Sequence, residues 1–156
     1  VLAELAAWAK DQGMSMYQLL QKIYVEYGFS KEKGISVVKK GKSGAEEIEA
    51  MMKHFRENPL KEIAGSKVTY FYDYSTLKGI DYLENETLTL DMPVTSNVLQ
   101  FFTEDGTKVS IRPSGTEPKI KFYCEVHSKV NSVEELDAAD KAATEKIEAI
   151  KASKGI

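Results

Sequence analysis

The hydrophobic period of this chain changes twice, and that limits its fold more than any other feature. Over residues 2–27 and 48–55 the apolar side chains recur at helical spacing. From Val68 to Val126 they alternate with a period of two, and from Leu136 the helical period returns. Val68, Tyr70 and Tyr72 alternate with Thr69, Phe71 and Asp73. Residues 98–103 read as a second strand, and Glu104-Asp105-Gly106 as a glycine-containing hairpin turn. Residues 108–112 read as its partner, with Val109 and Ile111 on one face. Ile120, Phe122, Cys124 and Val126 make the inward face of the next strand, while Lys119, Lys121 and Tyr123 point the other way. Ser132 and Glu135 open a closing helix whose stripe is Leu136, Ala139, Ala143, Ile147 and Ile150. Helices, a run of antiparallel strands and a last helix predict an α+β fold, one antiparallel sheet packed against helices.

The first 57 residues are less uniform. Leu2, Leu5, Ala6 and Ala9 start a helical pattern at once, with no capping residue ahead of it, as in a piece of something longer. Gly13 is a plausible stop. Ser15 and Gln18 form a capping box for a second helix, with a stripe of Met16, Leu19, Leu20, Ile23, Tyr24 and Tyr27 and an end at Gly28. Residues 29–42 are rich in lysine and glycine, and only 35–38 read as a short strand, so the stretch is expected to be a linker. Ser43 and Glu46 then suggest another capping box. Ile48, Met51, Met52 and Phe55 form a helical stripe that Asn58-Pro59 stops. Residues 1–28 are expected to stand as a separate helical piece with an apolar face that lacks its partner. The region 73–91 yields no functional reading.

Composition removes several function classes. With 42% hydrophobic and 29% charged residues, the 156-residue chain reads as a soluble globular protein and is long enough to bury a core without a disulfide or a structural metal. No apolar run approaches the ~20 residues of a membrane span. The balance of 21 basic and 24 acidic residues, net −3, lacks the basic stripe of a nucleic-acid binder. Cys124 is alone, and with His54 and His127 it is too scattered for a zinc site. The lone cysteine fits a reducing compartment, and no secretory or transit segment opens the sequence, so a cytoplasmic location is expected. His54 reads as a surface residue at a helix end, His127 as a solvated strand residue near the polar face, and Cys124 as buried and inert. Trp8 and the tyrosines from 17 to 27 read as packing residues.

One segment carries chemistry. Arg112-Pro113-Ser114-Gly115-Thr116-Glu117-Pro118 joins two strong strands and holds more functional groups than a turn requires. Arginine offers a planar fork to two phosphate oxygens. Ser114 and Thr116 offer hydroxyl donors. Gly115 lacks a Cβ, so backbone N–H groups are open to an anion. Pro113 and Pro118 stiffen the flanks and lower the entropy lost on binding. Between 112 and 121, Arg112, Lys119 and Lys121 face a single acid, Glu117, which makes a local cation cluster on an acidic chain. From the residues alone the segment reads equally as a phosphate cradle or as an ordinary turn in which Thr116 bonds its own backbone.

The run I-R-P-S-G-T-E-P-K-I-K-F-Y at 111–123 resembles the signature loop of the α-D-phosphohexomutases, the phosphoglucomutases and phosphomannomutases among them. The likeness extends to E-D-G-T-K-V before it, to the helix at 45–57, and to 1–28, which resembles the closing helices of the family's third domain. It implies a C-terminal portion only. Residues 1–28 would be a helical remnant of the preceding domain, 29–42 a linker with a short strand, and 43–156 the C-terminal phosphate-binding domain. It also implies that Arg112, Ser114, Gly115 and Thr116 contact the substrate phosphate and that Glu117 and Pro118 shape the loop. Lys119 and Lys121 are offered for their charge. The family's phosphoserine loop, its magnesium-binding aspartates and its sugar-recognition loop have no counterpart here, so no catalytic and no metal residue is assigned, Asp73, Asp81 and Asp91 included.

In the full-length enzyme the resemblance implies interconversion of hexose 1-phosphate and hexose 6-phosphate. An enzyme phosphoserine, a hexose 1,6-bisphosphate intermediate and Mg2+ would serve the reaction. The partners would be the phosphosugar and the remaining domains of the same chain, with no nucleic acid and no membrane. The fragment alone is expected to be inactive. The alternative is a free-standing sugar-phosphate or anion-binding module without catalysis.

Overall fold

A computed structural model describes residues 1–39 and 43–153. Two helices lead, α1 (Leu2–Asp11) and α2 (Met16–Tyr27), followed by strand β1 (Phe29–Val38) and helix α3 (Gly44–Glu57). The strands β2 (Glu62–Ile63), β3 (Ser66–Asp73), β4 (Lys78–Asp81), β5 (Glu86–Thr89), β6 (Leu99–Thr103), β7 (Lys108–Pro113) and β8 (Lys119–Ser128) come next. A 3-10 turn at Val133–Glu135 leads into α4 (Leu136–Ala152). The sheet order is β1-β8-β7-β6-β3-β4-β5, with β2 pairing β3, and every pairing is antiparallel. The α+β architecture read from the sequence is the one observed. Among the described residues no helix is long and apolar enough to cross a membrane.

Both long helices lie on one face of the sheet. Ile48, Met52 and Phe55 of α3 and Leu136, Ala143, Ile147 and Ile150 of α4 are buried with Phe71, Leu99, Phe101, Val109, Ile111, Ile120, Phe122, Cys124 and Val126. Phe55 sits edge-on to Phe101 and Phe122, with ring centroids 6.5 Å and 6.3 Å apart, a favoured aromatic geometry. Strand β3 reaches this core through a bulge. Val68 and Phe71 are both buried although three positions separate them, and the pairing with β6 shifts between Val68 and Tyr70. The extra residue turns Tyr70 and Tyr72 to the opposite face.

That opposite face carries no helix. One row of paired residues crosses it: Gly34, Tyr123, Ser110, Gln100, Tyr72 and Gly79. At Gly79 a Cβ would lie 2.7 Å from Cδ1 of Tyr72, so glycine lets the ring lie across the edge strand.

The β6–β7 hairpin is held firmly. Gly106 takes a φ of 81°, and Asp105 accepts from the Thr103 hydroxyl at 2.7 Å and from the Thr107 N–H at 3.2 Å while pairing with Lys146 of α4. Burial alone would raise the Asp105 pKa, but these donors overcome it and hold the carboxyl well below the usual range.

Several expectations are corrected. Residues 29–38 form not a linker but a ten-residue strand in full register with β8. The alternation was hidden because β1 faces α4 with lysines. The Lys31 ammonium reaches Asp140 at 2.7 Å and Thr144 at 2.8 Å, and Lys33 reaches Glu148 at 2.5 Å, so aliphatic stems cover the sheet where branched residues would be expected. Residues 40–42 of the same stretch lie outside those described. The Ser15–Gln18 capping box is present, but the Ser43 side chain makes no cap hydrogen bond. The closing helix is entered through the 3-10 turn, with Glu135 accepting from the Asn131 N–H at 2.8 Å.

In the α2 stripe only Leu19 is buried. Tyr24 packs edge-on to Phe29 at 5.0 Å, while Leu20, Ile23 and Tyr27 face outward, as do Leu2 and Trp8 of α1. Much of the apolar face of residues 1–28 is therefore exposed, while Ala9, Leu19, Tyr24 and Val25 are buried or packed against the core. The region 73–91 folds into a meander of two short edge strands, β4 and β5.

Candidate anion-binding site

Strands β7 and β8 stay paired up to Pro113 opposite Ile120 and then part around residues 114–118. Three backbone bonds fix this loop. The Ser114 N–H donates to the Lys119 carbonyl at 2.7 Å and the Lys119 N–H to the Glu117 carbonyl at 2.7 Å. The Lys39 N–H donates to the Pro118 carbonyl at 2.9 Å, so the end of β1 holds the loop's far arm. Among the described residues the N–H groups of Gly115 and Glu117 meet no acceptor, and that of Thr116 meets only the Ser114 hydroxyl at 3.5 Å. Two backbone donors, at Gly115 and Glu117, are thus left without an acceptor at an exposed bend, and the Thr116 N–H is held only by the long contact to Ser114. A Cβ at Gly115 would meet nothing within 4 Å, so packing does not demand glycine there and the approach is open.

The charges sort themselves by pairing. Lys119 is bound to Glu117 at 3.0 Å. This hydrogen bond and the charges of Lys119 and Lys121 hold the exposed Glu117 carboxyl below its ordinary pKa. Arg112 and Lys121 sit opposite each other across β7 and β8 on the helix-free face, and among the described residues neither has a carboxylate partner. The local excess of positive charge therefore comes down to these two side chains.

The loop separates two hollows. The one on the helix-free face, about 380 Å3, is lined by Arg112, Lys121, Tyr123 and residues 113–116. The other, about 590 Å3, opens toward α3 and holds Ile48, Glu49, Met52, Arg56 and Asn97 beside the loop. The smaller hollow is the more positively charged of the two, because both unpaired cations line it. In the larger one the cation is already committed. Arg56 Nε lies 3.2 Å from the buried Asp73 carboxylate, its guanidinium also donates to Asn97, and Glu49 and Glu117 add negative charge.

The sequence-level candidates Arg112, Ser114, Gly115, Thr116 and Lys121 are brought together, while Lys119 is turned to Glu117. Arg56, Asn97 and Tyr123 were not foreseen as neighbours of the loop. Only Tyr123 left a signal, its parity with Lys121 on β8. His127 lies at the far end of β8 from the loop and pairs with Glu125 at 2.6 Å. Cys124 is buried, and burial pushes its thiol up to about 11, which leaves it unreactive. Among the described residues no three His, Cys, Asp or Glu side chains converge to hold a metal ion.

Residues 36–142 match the family model for the phosphoglucomutase/phosphomannomutase C-terminal domain. A phosphoglucomutase of Staphylococcus haemolyticus is 37% identical over 114 residues, covering 73% of this chain and 20% of that protein. A phosphoglucomutase of Staphylococcus aureus is 36% identical over 123 residues, covering 79% and 22%. Among solved structures, pp63/parafusin from Paramecium, described as a phosphoglucomutase and captured in an open form, matches with a TM-score of 0.39 at 16% identity, over 88% of this chain and 23% of that one. The chain belongs to the phosphoglucomutase/phosphomannomutase family and carries its C-terminal domain. It spans about a fifth of the length of the curated relatives it matches.

Proposed function

We propose that residues 112–118 grip the phosphate of a hexose phosphate, and that the chain serves as the phosphate-holding domain of a hexose-phosphate mutase. The observation that carries this reading is that two open N–H groups, at Gly115 and Glu117, stand on the same bend as two unpaired cations, Arg112 and Lys121. The Arg112 guanidinium spans two phosphate oxygens, the hydroxyls of Ser114 and Thr116 donate to the remaining lone pairs, and Lys121 supplies a second positive charge. Glu117 neutralises Lys119 and keeps that lysine from competing for the ligand.

In the whole enzyme the grip would act on the phosphate that is not being transferred. Binding energy gained there, away from the reacting atoms, orients the sugar for phosphoryl transfer at its other end. The same bend would hold either phosphate of a hexose 1,6-bisphosphate in turn. The magnesium that the family resemblance implies would be held by other parts of the full-length protein.

Calorimetric titration of the chain with glucose 6-phosphate tests this reading. Saturable 1:1 binding that Arg112→Ala weakens about ten- to a hundredfold is expected, the range set by hydrogen bonds to a charged group. Binding of equal strength in the variant would remove Arg112 from the site.

A further inference from the structure

Two of the three backbone bonds that shape the anion loop, Ser114 to Lys119 and Lys119 to Glu117, close within its own hairpin. The third comes from outside. Among the described residues only the Lys39 N–H, donating to the Pro118 carbonyl at 2.9 Å, ties the backbone of residues 114–118 to another element. Helix α3 faces the same loop across the hollow of about 590 Å3. The end of β1 is therefore the loop's backbone support.

Lys39 is itself fixed by α3. Its ammonium lies 3.4 Å from the Glu47 carboxylate in the first turn of that helix. Its carbonyl rests against Gly44, the buried first residue of α3. A Cβ at Gly44 would collide with the Lys39 carbonyl oxygen and stand 3.0 Å from the carbonyl carbon, and neither backbone atom can swing aside as a side chain would. The φ of Gly44 is not positive, so space and not backbone conformation calls for glycine there. Ile48 and Met52 hold α3 in the core, so Lys39 stands between an anchored helix and the loop.

We propose that Gly44 and the backbone N–H of Lys39 are positioning groups for the phosphate loop. The missing Cβ seats the Lys39 carbonyl on the start of α3, and that seat sets where the Lys39 N–H meets the Pro118 carbonyl. Neither group touches the ligand. Both act by holding residues 114–118 in the binding shape beforehand, which lowers the ordering cost when an anion arrives. The inference rests on reading the loop as the phosphate grip.

The test is calorimetric titration of the chain with inorganic phosphate, joined to amide hydrogen exchange. Lys39→Pro removes the N–H and suits the extended backbone of Val38 before it. It should weaken phosphate binding about three- to tenfold, the range of one hydrogen bond. Gly44→Ala should do the same by displacing the Lys39 carbonyl. Lys39→Gln, which keeps the N–H and loses the charge, should stay within about twofold of wild type. In the wild type, saturating phosphate should slow exchange of the Lys39 amide by about the factor that Lys39→Pro loses in affinity, because coupling between two events is reciprocal. That readout needs no variant and decides the matter even where a variant fails to fold. Unchanged affinity in Lys39→Pro or Gly44→Ala, a loss in Lys39→Gln as large as in Lys39→Pro, or a Lys39 amide indifferent to phosphate would overturn the positioning role and leave the loop reading standing. Absence of any phosphate binding by the wild type would overturn both.

Discussion

Arg112 and Lys121 face each other across two strands with no acid between them, an arrangement that costs stability. A bound anion removes that cost, so the pair makes sense as a binding device rather than as a support of the sheet. Lys121→Thr, a good strand former without the charge, should raise the stability of the ligand-free chain by about 0.2–1 kcal/mol and weaken phosphate binding. Urea unfolding in phosphate-free buffer, repeated with phosphate added, checks both halves. A variant less stable than the wild type without ligand would contradict the account. At this scale the sequence was informative where the residues are contiguous. Arg112, Ser114, Gly115 and Thr116 could be read together because five positions hold them. Arg56 and Asn97 could not, because the packing of α3 on the sheet and the fold of the chain before β6, not spacing, bring them beside the loop.

The elements show the same division. The helical stripes of α3 and α4 and the alternation of β6, β7 and β8 were legible, since each buries one face of clean apolar residues. Strand β1 was not, because Lys31 and Lys33 occupy its helix-facing positions and complete their environment only when Asp140 and Glu148 of α4 arrive. The bulge in β3 was equally silent, being a feature of pairing. Two predictions belong here. Phe55→Ala, which removes the ring wedged between Phe101 and Phe122, should cost about 3–5 kcal/mol in chemical unfolding. The second concerns Asp105. Its folded-state pKa is depressed, so its contribution is present above the unfolded value near ~3.9 and is lost as the pH falls below it. Asp105→Asn should therefore cost about 1 kcal/mol at pH 7, and the difference from wild type should shrink as the pH drops below ~4. A gap that stays constant down to the acid limit would show that the carboxylate is not what ties the hairpin to α4.

For the whole molecule, the sheet with α3 and α4 has a complete core, while α1 and α2 keep an uncovered apolar face. Trp8, the only tryptophan, is half exposed on it. Its fluorescence in this chain should peak close to that of a solvated indole, and a strongly blue-shifted maximum would mean that the face is covered. With the chain spanning about a fifth of its relatives, the grip is expected to work without turnover, and glucose 1-phosphate incubated with the chain should be recovered unchanged. The most direct check of the central claim is a map of amide chemical shifts during titration with glucose 6-phosphate. Saturable shifts concentrated at Gly115, Thr116, Glu117 and the Arg112–Lys121 pair, and absent in Arg112→Ala, are the predicted result. A ligand that leaves those amides unmoved, or moves residues around Arg56 and α3 instead, would contradict it.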